Sequence, residues 1–205
     1  LGMLKFESDS IETVELFKNM YKAGFLMLFF GLESANDRIL SIIEKGCDQA
    51  TEKRVLENSS LAGIWNHLYL FFGFPTEEKH EAQETIDFTV QHSELGDGTI
   101  HSVGQSVFSL EKDSAIYHDP AKFQINRILR DPERDMAIIF DYEIEKGMTK
   151  DEVLDVYENF DKTIESNFPS RKTWNYLSRE HFLLYLDHYG REEILNMTRP
   201  LVQST

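Results

Sequence analysis

The feature that most constrains this chain is a stretch that occurs twice. Ala23-Gly24, then Phe29-Phe30-Gly31-Leu32-Glu33-Ser34, is echoed by Ala62-Gly63-Ile64, then Phe71-Phe72-Gly73-Phe74-Pro75-Thr76-Glu77. Each copy reads as a helix end, a buried strand and a polar loop opening the next helix. Apolar runs without alternation suit strands covered on both faces, as in parallel sheets. A period of about 40 residues is one strand-helix unit with its loops. The fold class this predicts is α/β, a piece of a (β/α) barrel or of a doubly wound sheet. Carboxylates stand just past the strand ends, where such folds place their ligands.

In chain order, Asp9 with Glu12 offers a capping box for a helix bearing Val14, Phe17 and Tyr21, which Gly24 stops. A strand is expected over Phe25–Phe30, with Gly31 turning the chain and Ser34 or Asn36 capping a helix that ends at Lys45-Gly46. A further helix, from about Asp48 to Ala62, turns Val55, Leu56 and Leu61 inward. The second strand runs from Trp65 to Phe72, and Thr76 can cap the next helix, with Ala82, Ile86, Thr89 and Val90 inward. Thr99–Leu110 reads as a third strand, with Gln105 and Ser109 as candidate inward groups. Beyond Phe123 the pattern becomes mainly helical. A short strand is expected over Ile138–Ile144, then a helix opened by Thr149 and Glu152 and facing inward through Val153, Tyr157, Phe160 and Ile164. A last aromatic helix is capped by Ser178 and ends at Gly190.

Composition narrows the function classes. A formal net charge of −15 argues against nucleic-acid binding, which draws on clustered Lys and Arg. Cys47 is the only cysteine, so this chain cannot supply a cluster from thiolates alone. The histidines lack ligand spacing; only His67 and His101, on predicted strands, stay as reserve candidates. No apolar run is long enough to span a membrane and no signal-peptide pattern opens the chain, so the expected location is cytoplasmic. The opening Leu1-Gly2-Met3 lacks an initiator methionine and suggests a fragment or a processed chain.

Glu33 can accept from ribose hydroxyls or an ammonium group, with Ser34 beside it. Equally, the pair can simply open a helix. Gly73-Phe74-Pro75-Thr76-Glu77 poses the same choice between a ligand loop and a capped turn. Two such loops at equivalent strand ends favour a site, because the repeat brings them side by side. Glu33 and Glu77 are then expected to face a common cleft, where the pair could also serve as the acid and base of a barrel hydrolase.

These residues resemble the radical S-adenosylmethionine superfamily, specifically its cobalamin-domain-linked branch. The resemblance rests on Phe30-Gly31-Leu32-Glu33-Ser34, Lys45-Gly46, Ala62-Gly63-Ile64 and Phe72-Gly73-Phe74-Pro75-Thr76-Glu77, with Ser114-Ala115-Ile116-Tyr117 and Asp119-Pro120 later. It covers about residues 4–123; Thr76 stands where the family has glycine. It implies a partial barrel holding family strands four to six over residues 1–123, with a mainly helical C-terminal extension over 124–205. In the family's terms Glu33 and Ser34 contact the ribose or methionyl part of S-adenosylmethionine, and Gly73, Pro75 and Glu77 lie along the adenine. Gln105 joins them as a cofactor-binding candidate.

The family's three-cysteine motif for a [4Fe-4S] cluster is absent from this chain, which is not expected to be catalytic alone. Cobalamin is a possible further cofactor. The expected partners are the missing N-terminal half of the barrel, a small-molecule or peptide substrate, and a second copy through the exposed edge of the first strand, which its own C-terminal helices could cover instead. The alternative is a non-catalytic nucleoside-binding or interaction module on the same fold.

Overall fold

The structure is a computed structural model describing residues 2–4, 14–130, 136–168, 179–190 and 193. The elements are β1 (Gly2–Leu4), α1 (Val14–Lys22), β2 (Met27–Glu33), α2 (Asp37–Ile42), α3 (Gln49–Leu61), β3 (Trp65–Phe72) and α4 (Lys79–Gln91). There follow β4 (Ser102–Val107), β5 (Leu110–Glu111), α5 (Ala115–His118), a 3₁₀ turn (Pro120–Phe123), β6 (Ile125–Leu129), β7 (Ile139–Ile144), α6 (Lys150–Asn167) and α7 (Arg179–Tyr189). The expected Asp9–Glu12 box and the Ser178 cap lie outside the described residues.

The repeat builds a four-stranded sheet, β1-β2-β3-β4, in which every pairing is parallel. The helices that join β2 to β3 and β3 to β4 make these wound α/β units. Among the described residues β1 and β4 are its two edges, so the sheet is open. β2 differs from expectation at both ends. It starts at Met27 and continues through Gly31 to Glu33, with a bulge between those two residues. Part of its edge is covered by β1 and not by the C-terminal helices. Gly2, Met3 and Leu4 pair in parallel with Leu28, Phe29 and Phe30. A three-residue strand carries no readable periodicity, so only the tertiary pairing reveals it.

Alternation along the strands separates two faces. Leu28, Phe30 and Leu32 on β2, and Leu68, Leu70 and Phe72 on β3, are all at most 2% exposed and enter the main core. Val55 and Leu56 of α3 and Ala82 and Ile86 of α4 complete that layer. Leu61, expected inward, is 74% exposed, because the buried stripe of α3 runs through Glu52, Val55, Leu56 and Ser59.

Among its described residues the segment after Phe123 adds one strand, β6, to the expected one, and it packs into the core of the repeat. β5, β7 and β6 form a second, antiparallel sheet. α6 starts at Thr149, whose side chain accepts from the Glu152 amide in a capping box. It lays Val153, Val156, Phe160 and Ile164 into the same core as the repeat. Phe160 meets Phe72 edge-on, at 5.1 Å between ring centres. Val156, not Tyr157, occupies that stripe.

Candidate functional site

The face opposite the core carries Met27, Phe29, Gly31 and Glu33 from β2. From β3 come Trp65, His67, Tyr69 and Phe71. Register places Phe29 beside His67 and Gly31 beside Tyr69, then Ser102 and Gly104 of β4 beside His67 and Tyr69. The His67 ring lies 5.0 Å from Phe29 and 4.6 Å from Tyr69, both edge-on. Its Nδ1 pairs with the Ser102 hydroxyl at 2.7 Å, while its Nε2 is buried without a partner. Burial lowers the imidazole to about 4, so it stands neutral at pH 7. Gly104 makes room here, since a Cβ would sit 3.1 Å from Tyr69 and 3.3 Å from His67 Nε2. The middle of the face is therefore aromatic and uncharged.

Charge enters at the C-terminal end of β2. Glu33 adopts φ 65, and the Ser34 amide donates to the Leu32 carbonyl (2.8 Å) across it. A non-glycine residue in this region costs about 1–3 kcal/mol and marks a constrained loop. The Glu33 carboxylate folds back over Gly31 so closely that any Cβ at 31 would collide with it. Lys45 reaches the same spot after α2, and its Nζ donates to Glu33 Oε1 at 3.2 Å. Reading Lys45 only as a helix-end cation missed this. The signal was its place just before a glycine, which returns the chain toward the strand end.

Ser34 and Glu77 do not open onto a cleft shared with Glu33. Ser34 is fully buried; its hydroxyl lies 3.2 Å from that of Thr85 on α4 and accepts from the Asn36 amide at 3.1 Å. Asn36 caps α2 by accepting from the Ile39 amide. Glu77 is fully buried as well. Its Oε2 accepts from the Gly73 amide at 2.6 Å, while Oε1 has no partner. Burial raises this carboxyl to about 7, against the pull of the Gly73 and Phe74 amides. An acid/base pair open to water is therefore not what these two carboxylates form.

Gln105 sits on the core face, where its side chain donates to Asp161 of α6 at 2.8 Å, and not on the face of Glu33. A residue count along an uncertain strand could not fix its parity. His101, the other reserve histidine, stacks on Trp65 at 5.3 Å between ring centres.

Gly73 has φ 82, Pro75 is buried, and Thr76 takes φ 80. Thr76 does not cap α4; Glu78 is the N-cap and Glu81 accepts from its amide at 2.8 Å. Instead Arg38 of α2 donates to the Thr76 hydroxyl (3.1 Å) and carbonyl (2.8 Å) and pairs with Glu81. The two loops of the repeat thus each hold one non-glycine residue at positive φ and are tied together by α2 and α4. Arg38→Ala is expected to cost about 2 kcal/mol in thermal denaturation, because Glu81, only 3% exposed, loses its cation.

One further acid lies behind Glu33. Glu52 of α3 is fully buried; the Cys47 thiol donates to its Oε1 (3.9 Å), and its Oε2 has no partner. Burial raises it to about 9, more than Lys45 offsets. The sequence reading turned Val55 and Leu56 of α3 inward without noting that Glu52, three and four residues before them, shares their face.

No protein-family profile and no curated protein matches the chain. Solved structures do. Coproporphyrinogen III oxidase (HemN) from Escherichia coli, a radical SAM enzyme, matches with a TM-score of 0.56 at 11% identity, over 80% of this chain and 31% of that one. The cobalamin-dependent S-adenosylmethionine radical enzyme OxsB, with aqua-cobalamin bound, matches with a TM-score of 0.59 at 16% identity, over 97% of this chain and 33% of that one. The fold is of the radical SAM type. The chain spans about a third of the length of these radical SAM structures. Among the described residues no three His, Cys, Asp or Glu side chains converge on a metal position, so the residues present do not fit a four-iron cluster. No described helix is long and apolar enough to cross a membrane.

Proposed function

We propose that this chain is one part of a radical SAM enzyme and supplies the S-adenosylmethionine side of its site together with part of the substrate wall. The observation that carries this reading is the Glu33–Lys45 pair over Gly31, at a strained strand end of a radical SAM-type sheet. An acceptor and a cation 3.2 Å apart suit a zwitterionic amino acid next to a ribose. Glu33 would accept from the ribose hydroxyls or the ammonium group, and Lys45 would donate to the carboxylate. Gly73 and Pro75 would lie along the adenine. Ser34 and Glu77 would act from behind. Ser34 fixes its loop on Thr85, and Glu77 holds the Gly73 amide. Gln105 would act through α6.

When bound beside a reducing cluster, S-adenosylmethionine supplies the radical-generating chemistry. This chain's residues bind and orient it, and the aromatic face of Phe29, His67 and Tyr69 would shield the reaction from water. The cluster ligands belong to the rest of the enzyme in this reading, as would any cobalamin site. A cytoplasmic location is part of the proposal, since a low-potential cluster needs a reducing compartment. The lone cysteine keeps a second reading in view, that of a nucleoside-binding module without catalysis.

The test is S-adenosylmethionine affinity by calorimetry in the protein that contains this chain and a reconstituted cluster. Glu33→Ala is expected to weaken binding by about 1.5–3 kcal/mol, the worth of a charge-assisted hydrogen bond. Unchanged affinity with a lower melting temperature would reduce Glu33 to a loop residue. Binding without any reductive cleavage would select the module.

A further inference from the structure

On the core side of the sheet, past the end of β4, lies a cavity of about 290 Å³ between α6 and the antiparallel sheet. Its floor is Gly73, Met148 and Val153, the last two at most 6% exposed. Its walls are Phe108, Phe140 and Ile144. Around the mouth stand Val107, Ile139 and Leu154, which are 37%, 56% and 51% exposed.

Most of the polar side chains that reach this cavity are committed elsewhere. The Tyr142 hydroxyl donates to the Gly73 carbonyl (3.4 Å), and burial with Asp141 nearby pushes it up to about 12. Thr149 is bonded to Glu152 in its capping box. At the mouth Lys150 pairs with Asp141 at 2.5 Å, which leaves the entrance close to neutral. Ser109, exposed at the rim, is the one lining hydroxyl left to meet a polar atom of a guest, and a cavity otherwise walled by apolar groups holds water poorly and takes apolar bodies. Apolar side chains left in water around its mouth add to the gain on filling it.

We infer that this cavity is a binding site for a small uncharged ligand with an apolar, aromatic or aliphatic body. Its volume lies just under the ~300–1,000 Å³ typical of ligand cavities, which suits a small molecule and not a peptide. A charged body is excluded by the walls, and an anion gains nothing from a chain carrying −15. The site stands apart from the Glu33–Lys45 end and holds whether or not the radical SAM reading does. It touches that reading's loop only at Gly73.

The probe is N-phenyl-1-naphthylamine, a neutral fluorophore that brightens in apolar surroundings, titrated into the whole chain. Saturable one-to-one binding is expected. Leu154→Trp and Val107→Trp, each filling the mouth from an exposed position, should weaken it about tenfold or more at an unchanged melting temperature. Leu61→Trp, at a 74% exposed position on α3, should leave it as it was. Non-saturating fluorescence, or equal affinity in all three variants and the parent, overturns the site.

Discussion

Between about pH 7 and pH 9 the chain is expected to lose about 2–3 kcal/mol of stability, mostly through Glu52. Its carboxyl titrates near 4.5 when unfolded and at about 9 when folded, so folding takes up a proton throughout that window. The native state then binds more protons than the unfolded state, and stability falls as pH rises. Glu77, raised to about 7, adds a smaller loss at the start of the window. Below it the signs oppose. His67, lowered to about 4, makes stability rise with pH up to its unfolded value near 6.5, while Glu52 and Glu77 make it fall. His67 thus offsets about one of the two carboxyls below pH 6.5, and above neutrality the loss through Glu52 stands unopposed. Thermal melts at a series of pH values measure it. Glu52→Gln keeps the side-chain shape and the acceptor for Cys47 and should flatten the profile above pH 7. A flat parent profile, or a slope that survives in the glutamine variant, would rule out a buried neutral Glu52.

Gly73→Ala should destabilise the chain by about 2–4 kcal/mol. At φ 82 any side chain is strained, and an added Cβ would lie 2.7 Å from Val153 Cγ1. The backbone part contributes about 1 kcal/mol, and overpacking the rest. Val153 belongs to α6, so the clash exists only if that helix presses on the β3 loop. In a Val153→Ala background the cost of Gly73→Ala should therefore drop by about 1 kcal/mol or more. Strictly additive costs in chemical denaturation would show that α6 does not press on the loop as described. The pair also separates two roles for Gly73. The strain comes from the chain's own conformation, while a close approach to adenine belongs to the proposal.

The repeat made the parallel sheet legible because two buried strands in one chain must alternate with helices of similar length. Trp65–Phe72 emerges with the bounds read from sequence, since glycines and polar residues punctuate it on both sides. The C-terminal segment was less legible. α6 shows a clear amphipathic period, yet periodicity says that a face is buried and not against what. The core it joins lies across β3 and β4. The antiparallel sheet escaped notice except for β7, because two-residue and five-residue strands carry too little pattern to be read alone.

At the site, the sequence determined by itself that glycine, carboxylate and hydroxyl residues gather at the ends of two adjacent strands. It could not say which way those side chains turn. The bulge after Gly31 swings Glu33 back over the strand, and only the return of the chain at Lys45 gives that carboxylate a cation. Glu77 and Ser34, similar in type and position, are sealed behind the loops by Gly73 and Thr85. The direction of Gln105 depended on a strand parity that a shift of one residue inverts. Glu52 shares a helical face with Val55 and Leu56, but only the packing of that stripe against the core shows that its carboxyl is fully buried and neutral. Local sequence fixes which chemistry stands at a strand end. Exposure, pairing and protonation are set by groups that arrive from distant parts of the chain, so only the tertiary structure decides them.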